Sequence, residues 1–242
     1  MQAKTAAVLD QLAPQGVLHA AINYGNPVLA QRAADGSPAG VSVQLAQALA
    51  NELGVSLQLH TFDAAGKVFA AFEEDAWRVA FLAIEPVRAE QIAFSEPYVI
   101  IEGTYLVAAD APYQHVADLD QPGVTIAVGS GAAYDLFLSR TLQQASLQRA
   151  DTSAAAIDLF FASHLHAAAG VRQPLQKAAE ATPGYRVLAD AFTSIRQAMA
   201  VPRAHQAAAA YVQAFIAARK ADGFVRAALV ASGQGDVQVA DE

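Results

Sequence analysis

Cysteine is absent from all 242 residues, which removes disulfides, a thiolate nucleophile and cysteine-ligated zinc or iron–sulfur clusters. Positive charge is scarce too. Lys and Arg number 15 against 23 Asp and Glu, a formal net charge of −8, and such a chain lacks the basic surface that displaces counterions from nucleic acid. No apolar run approaches the roughly 18 residues of a membrane span; the longest strand-like run covers residues 79–84. Residues 1–10 carry no apolar h-region of a secretory signal. Two expectations stay open there: a trimmed mature form with an added Met, or a chain that remains in the cytoplasm. The six histidines are scattered. His164 and His166 are spaced to share one strand face, but no third ligand clusters with them, so neither a metal nor another cofactor is expected. Gly129, Ser130 and Gly131 lack the Gly-Lys-Ser/Thr ending of a phosphate loop, and no nucleophile elbow is found.

What is present is an apolar fraction of 54% with only 16% charged residues, enough to bury a large core and too apolar for disorder. At roughly 150 residues per domain the length allows one large domain or two small ones. Residues 18–23 are strand-like, and Asn26 with Pro27 marks a loop. Residues 41–53 have helical periodicity, stopped by Gly54 as a C′ glycine stops it. Residues 55–62 alternate as a strand, 67–72 form a short helix, and 79–84 a buried strand. This βαβαβ order calls for a mostly parallel sheet with helices on its faces. A second block repeats this alternation, with a strand at 124–128, a turn at 129–131, a helix at 132–142, a strand at 147–150, a helix at 153–161 and a buried strand at 166–171. Residues 204–231 are strongly helical. Trp77 and the phenylalanines at 62, 69, 72 and 81 are assigned to the core. The segment 102–108 carries the chain out of the first block and 195–201 carries it back, a double crossing suited to hinge closure.

Four motifs in order then become specific. Glu85, Pro86, Val87 and Arg88, followed by Phe94, Ser95, Glu96, Pro97 and Tyr98, resemble the Thr-Pro-Glu-Arg … Phe-Ser-x-Pro-Tyr signature of extracellular solute-binding proteins of family 3. Residues 40–54, residues 116–119 with 124–131, and Asp222 with Gly223 are similar to further stretches of the same family, so the resemblance covers nearly the whole chain. It implies an α/β, two-lobed type 2 periplasmic-binding-protein fold with lobes joined by two hinge strands. Residues 1–104 and 197–242 would form lobe 1 and residues 105–196 lobe 2. The implied function is that of a periplasmic receptor of an ABC-type uptake system. A small carboxylate-containing polar solute, amino-acid-like or an organic acid, would be held between the lobes of a monomer and presented to a membrane permease. Two alternatives remain: a cyclohexadienyl-dehydratase-like lyase on the same scaffold, with Glu85 as its acid, and a stand-alone sensory or cytoplasmic binding module.

Ligands of open α/β sheets bind beyond the carboxyl ends of the strands, and that rule selects the site. Asn26, Lys67, Glu85, Arg88, Ser130, Tyr134 and Arg172 lie in the loops so chosen, and Tyr105 lies in the first crossing strand. Arg88 falls where the resemblance places a carboxylate-binding arginine, suited to bidentate contact; pairing with Glu90 or Glu96 is the structural alternative. Amino-acid binders of the family place an Asp after the late second-lobe strand to hold an ammonium. Residues 167–172 contain no acid here, and Arg172 favours a second anionic group instead. Asn26 also suits a turn before proline, Ser130 an N-cap, Lys67 a solvated first turn and Glu85 a salt bridge to Arg88. The start of the helix after Ser130 offers N–H groups to an anion.

Overall fold

The computed structural model describes residues 4–241; the first three positions of the stretch read for a signal lie outside the described residues. Along the chain run α1 (Ala6–Leu12), β1 (Val17–Asn23), the small hairpin β2 (Gln31–Arg32) and β3 (Pro38–Ala39), α2 (Val41–Leu53) and β4 (Ser56–Phe62). There follow α3 (Ala65–Ala70), β5 (Val79–Ala83), α4 (Pro86–Ala89) and the long β6 (Ile92–Ala108). Next come β7 (Thr125–Gly129), α5 (Ala133–Thr141), β8 (Ser146–Ala150), α6 (Ser153–Ser163), β9 (Ala167–Val171), α7 (Arg172–Ala181) and β10 (Tyr185–Val187). The chain ends with β11 (Thr193–Pro202), α8 (Gln206–Ala221), α9 (Phe224–Ala231) and β12 (Gln238–Val239).

The chain divides into two compact units, residues 1–100 with 196–242 and residues 101–195. It passes between them twice, each time inside a strand, β6 outward and β11 on the return.

In the first unit the order β4-β1-β5-β11 is set by parallel pairing of β1 with both β4 and β5, and by antiparallel pairing of β5 with β11. Every residue of β5 is buried, as its unbroken apolar run requires. α2 places Val41, Leu45, Leu49 and Leu53 on one buried face, each fully buried side chain contributing roughly 1.5–3 kcal/mol. It ends where Gly54 turns left-handed at φ +67°. Trp77, Val68, Leu82, Ile92 and Ala200 form a core on the α3 side, with Phe62, Phe69 and Phe72 packed against it. The Trp77 indole N–H donates to the Val68 carbonyl at 2.9 Å.

In the second unit β9 pairs antiparallel with β6 and parallel with β7, β7 pairs parallel with β8, and β10 pairs antiparallel with β6. Its core gathers Leu106, Ala127, Ala156, Phe160, Ala168 and Leu175. Thr152 caps α6, accepting the Ala155 N–H at 3.1 Å.

Several expectations need correction. The helix drawn at 67–72 lies at Ala65–Ala70, and the stretch at 204–231 is two helices broken at Asp222 and Gly223, the glycine at φ +77°. His164 and His166 do not share a strand: His164 is the left-handed C-cap of α6, and His166 precedes β9 with its Nδ1 accepting the Thr125 N–H. Ser130 is not the N-cap of α5; Ala132 is, without a side-chain cap. Among the described residues no helix is long and apolar enough to cross a membrane.

Candidate functional site

In the first unit three strands end together: β1 at Asn23, β4 at Phe62 and β5 at Ala83, registered by the ladders that pair β1 with both neighbours. The loops leaving those ends are closely packed. A Cβ on Gly25 would lie 2.7 Å from the Asp63 carbonyl oxygen, so the glycine lets the two loops touch.

Asn26 is buried, and its Oδ1 accepts the Val28 N–H at 3.3 Å while its carbonyl accepts Leu29 and Ala30. That is the geometry of a turn residue. Beside it, Tyr24 lies under the Arg32 guanidinium, 4.3 Å from ring centroid to Cζ. The pair fixes the ring and ties the β2–β3 hairpin to the β1 loop. Lys67 is half exposed and its Nζ sits 2.7 Å from Asp63 Oδ1, an i,i+4 contact within the loop and α3.

Arg88 is the most unusual side chain of this rim. It sits at the third position of α4, is 1% exposed, and donates from Nη1 to the Ala83 carbonyl at 3.1 Å, the last residue of β5. Burial lowers its pKa to about 10, an effect the nearby Glu85 charge opposes. Glu85 is the N-cap of α4 and is itself buried. Proline at the first helical position fixes the entry to this short helix, so an arginine and a carboxylate are held together where a strand ends.

The second unit uses its charges on itself. Ser130 is exposed, its N–H bound to the Ala150 carbonyl at 2.8 Å. Tyr134 is buried and donates its hydroxyl to Ser153 Oγ at 2.7 Å; burial pushes its pKa up to about 12. The anion position expected at the start of α5 is filled from within: Asp135, third residue of the helix, accepts the Gly131 N–H at 2.9 Å and the Arg149 Nε–H at 3.0 Å. Tyr105 is 1% exposed and packs tilted against Phe192, with centroids 4.7 Å apart and planes at 42°, a packing role that accounts for its ring. Arg172 is the first residue of α7, bound to Glu102 and to the carbonyls of residues 188–190. A groove of about 240 Å³ on this unit, lined by Leu138, Leu142, Leu147 and Arg149 among others, lies along α5 and β8 rather than at the strand ends.

Sequence reasoning missed Arg32, Glu102, Asp135 and Arg149. Only Asp135 had a legible signal, an acid in a first helical turn; the others act through partners distant in sequence.

A family model described as bacterial extracellular solute-binding proteins, family 3, matches residues 18–229. Cyclohexadienyl dehydratase of Pseudomonas aeruginosa is 30% identical over 143 residues, 57% of this chain and 53% of that protein, so the match spans about half the relative's length. Among solved structures, a solute receptor for L-cysteine of Neisseria gonorrhoeae superposes with TM-score 0.81 at 21% identity, covering 94% of this chain and 93% of that one. An amino acid ABC transporter substrate-binding protein of Streptococcus pneumoniae bound to L-arginine gives TM-score 0.79 at 21% identity, covering 97% and 100%. At such identities these likenesses establish a shared α/β fold of two-lobed periplasmic binding proteins.

Proposed function

We propose, from the premise that this chain belongs to the bacterial extracellular solute-binding proteins of family 3, that it is the solute receptor of an ABC-type uptake system for a small carboxylate-bearing solute. The observation that carries the reading is Arg88: a cation 1% exposed at the end of β5. A guanidinium has five donors in a planar fork, and a carboxylate matches that fork with two parallel charge-assisted bonds. Asn26, for whose carboxamide nitrogen no hydrogen bond is seen among the described residues, and Glu85, beside Arg88, belong to the same rim. Arginine and cysteine are bound by structural relatives. In this chain a solute without an ammonium fits better, because residues 167–172 provide no acid to receive one.

Calorimetric titration with a panel of amino acids and organic acids tests the proposal. A carboxylate solute bound by the unaltered protein should lose at least a hundredfold in affinity with Arg88→Ala, and a substantial part of that with Arg88→Lys, which keeps the charge but not the fork. Unchanged affinity in a folded Arg88→Ala variant would overturn it.

The dehydratase match favours a second reading, a lyase in which Glu85 donates a proton to a departing hydroxyl. Turnover of prephenate-like substrates that disappears with Glu85→Gln would support it; stoichiometric binding without turnover would eliminate it.

A further inference from the structure

The first unit carries a pair of imidazoles that neither the core nor the solute site uses. His19 on β1 and His60 on β4 face each other with His19 Nδ1 2.9 Å from His60 Nε2. Their ring centroids are 5.2 Å apart and the planes differ by 25°. That centroid distance is the N···N distance plus little more than two ring radii, so the rings lie edge to edge and the two nitrogens share one line. One nitrogen donates and the other accepts. The bond joins β1 to β4, and among the described residues β4 is the last strand of its sheet, paired only with β1.

We propose that His19 and His60 form a one-proton latch on the β1–β4 edge, closed near neutral pH and opened by acidification. Two neutral imidazoles hold the bond. A first added proton goes to the outer nitrogen of the donor ring and leaves a charge-assisted N–H···N bond intact. A second must go to the accepting nitrogen, where two N–H groups would then confront each other at 2.9 Å. The closed pair therefore binds one proton fewer than two separated histidines, each of which titrates near 6.5 when unperturbed.

The surrounding charges support this assignment. Asp75, chelated by Arg78, is the carboxylate coupled electrostatically to this pair, and its own pKa is lowered chiefly by the Arg78 hydrogen bond and least by His19. His205, ahead of α8, feels both Arg78 and Asp75. Burial first, and the His19 charge after it, lowers the His60 pKa. Because the closed form binds fewer protons, its stability relative to the open form falls as pH drops below the free-histidine value. β1 and β4 run directly into the loops holding Asn26 and Asp63, so an open latch loosens both. Any effect on solute affinity rests on the proposed function; the opening itself does not.

Amide hydrogen exchange of residues 56–62 from pH 7.5 to 5.0, corrected for intrinsic rates and referenced to residues 125–129 of the other unit, reads the latch alone. Protection of β4 should fall about tenfold per pH unit below pH 6, and the slope should vanish in His60→Gln and in His19→Gln. Imidazole ¹⁵N spectra of the unaltered protein should show both rings neutral at pH 7.5, one proton taken up by the pair as pH falls through about 6.5, and the second only as β4 protection is lost. An unchanged slope in either folded variant, or two fully protonated rings with β4 protection undiminished, would overturn the latch.

Discussion

Arg172 at the start of α7 reaches Glu102 on β6 with its Nε, and with its two terminal nitrogens the carbonyls of Leu188 at 2.9 Å, Ala189 at 2.9 Å and Asp190 at 3.1 Å. Thr104 adds its hydroxyl to the Asp190 carbonyl at 2.7 Å, and the Asp190 carboxylate accepts the Val116 N–H. Residues 188–190 are thus sewn to β6 and to the start of α7 by one cation and one hydroxyl. The guanidinium is committed to the protein's own carbonyls.

Arg172→Ala should therefore act on stability. It strips partners from three carbonyls, and the expected cost is about 2–3 kcal/mol. Little of that comes from the ion pair, since the Glu102 side chain is half exposed. Arg172→Lys, a point charge without the fork, should recover only part of the loss. Urea unfolding checks this; a midpoint within error of the unaltered protein would show that Arg172 holds nothing.

Elements with a strong local signature were legible, and those fixed by distant partners were not. Residues 41–53 read as a helix because apolar spacing and Gly54 agree, and the structure places α2 there to the residue. Arg172 is expected in a loop after the strand at 166–171, and the structure makes it the first residue of α7, with Pro174 in the first turn. A proline there removes only an N–H that lacks an intrahelical partner anyway. Of β6 only the crossing segment 102–108 is expected from the sequence; its first half, through Ser95, Glu96 and Pro97, is carried as strand and pairs with β12 at Val99 and Ile100. For the site, the residue types were readable and their commitments were not. That Arg88 lies at a strand end follows from spacing; that Arg172 is met by Glu102 depends on a pairing seventy residues apart.

Trp77 is the only tryptophan, is 1% exposed, and spends its indole N–H on Val68. Trp77→Phe removes that bond and leaves a void, an expected loss of about 2–4 kcal/mol. Because the indole lies in the first unit, its fluorescence reports that unit alone. In the unaltered protein, Trp77 emission and amide exchange of residues 125–129 should separate wherever the two units unfold independently. Coincident transitions under all conditions would mean one cooperative unit.

Gly40 precedes α2 at φ +105°, and a Cβ there would lie 2.5 Å from the Leu29 carbonyl oxygen and 2.9 Å from Ala30 Cα. Both obstacles are backbone, so Gly40→Ala should cost about 3 kcal/mol or more. Gly184, at φ +94° with nothing within 4 Å of its missing Cβ, carries only the conformational penalty, and Gly184→Ala should cost about 1 kcal/mol. Equal losses for the two, measured by denaturant unfolding, would show that the close approach at Gly40 relaxes freely.

Asp120 closes the turn after α5. Its carboxylate accepts three successive backbone N–H groups, Gln143 at 2.9 Å, Gln144 at 2.8 Å and Ala145 at 3.0 Å. The Ala145 and Gln143 bonds are the chief causes that hold its pKa below the ordinary carboxylate value, with burial opposing them. A depressed folded-state pKa means that the folded form binds fewer protons than the unfolded one in that window. The stabilisation is therefore complete above the unfolded value near 4 and disappears as pH falls through the folded one. Asp120→Asn keeps an acceptor oxygen and loses the charge, an expected cost of about 1 kcal/mol after screening by solvent. The difference in urea midpoint between the two proteins should stay constant from pH 7 to pH 5 and close below pH 4. A gap that persists undiminished at pH 3 would mean that shape rather than charge holds this turn.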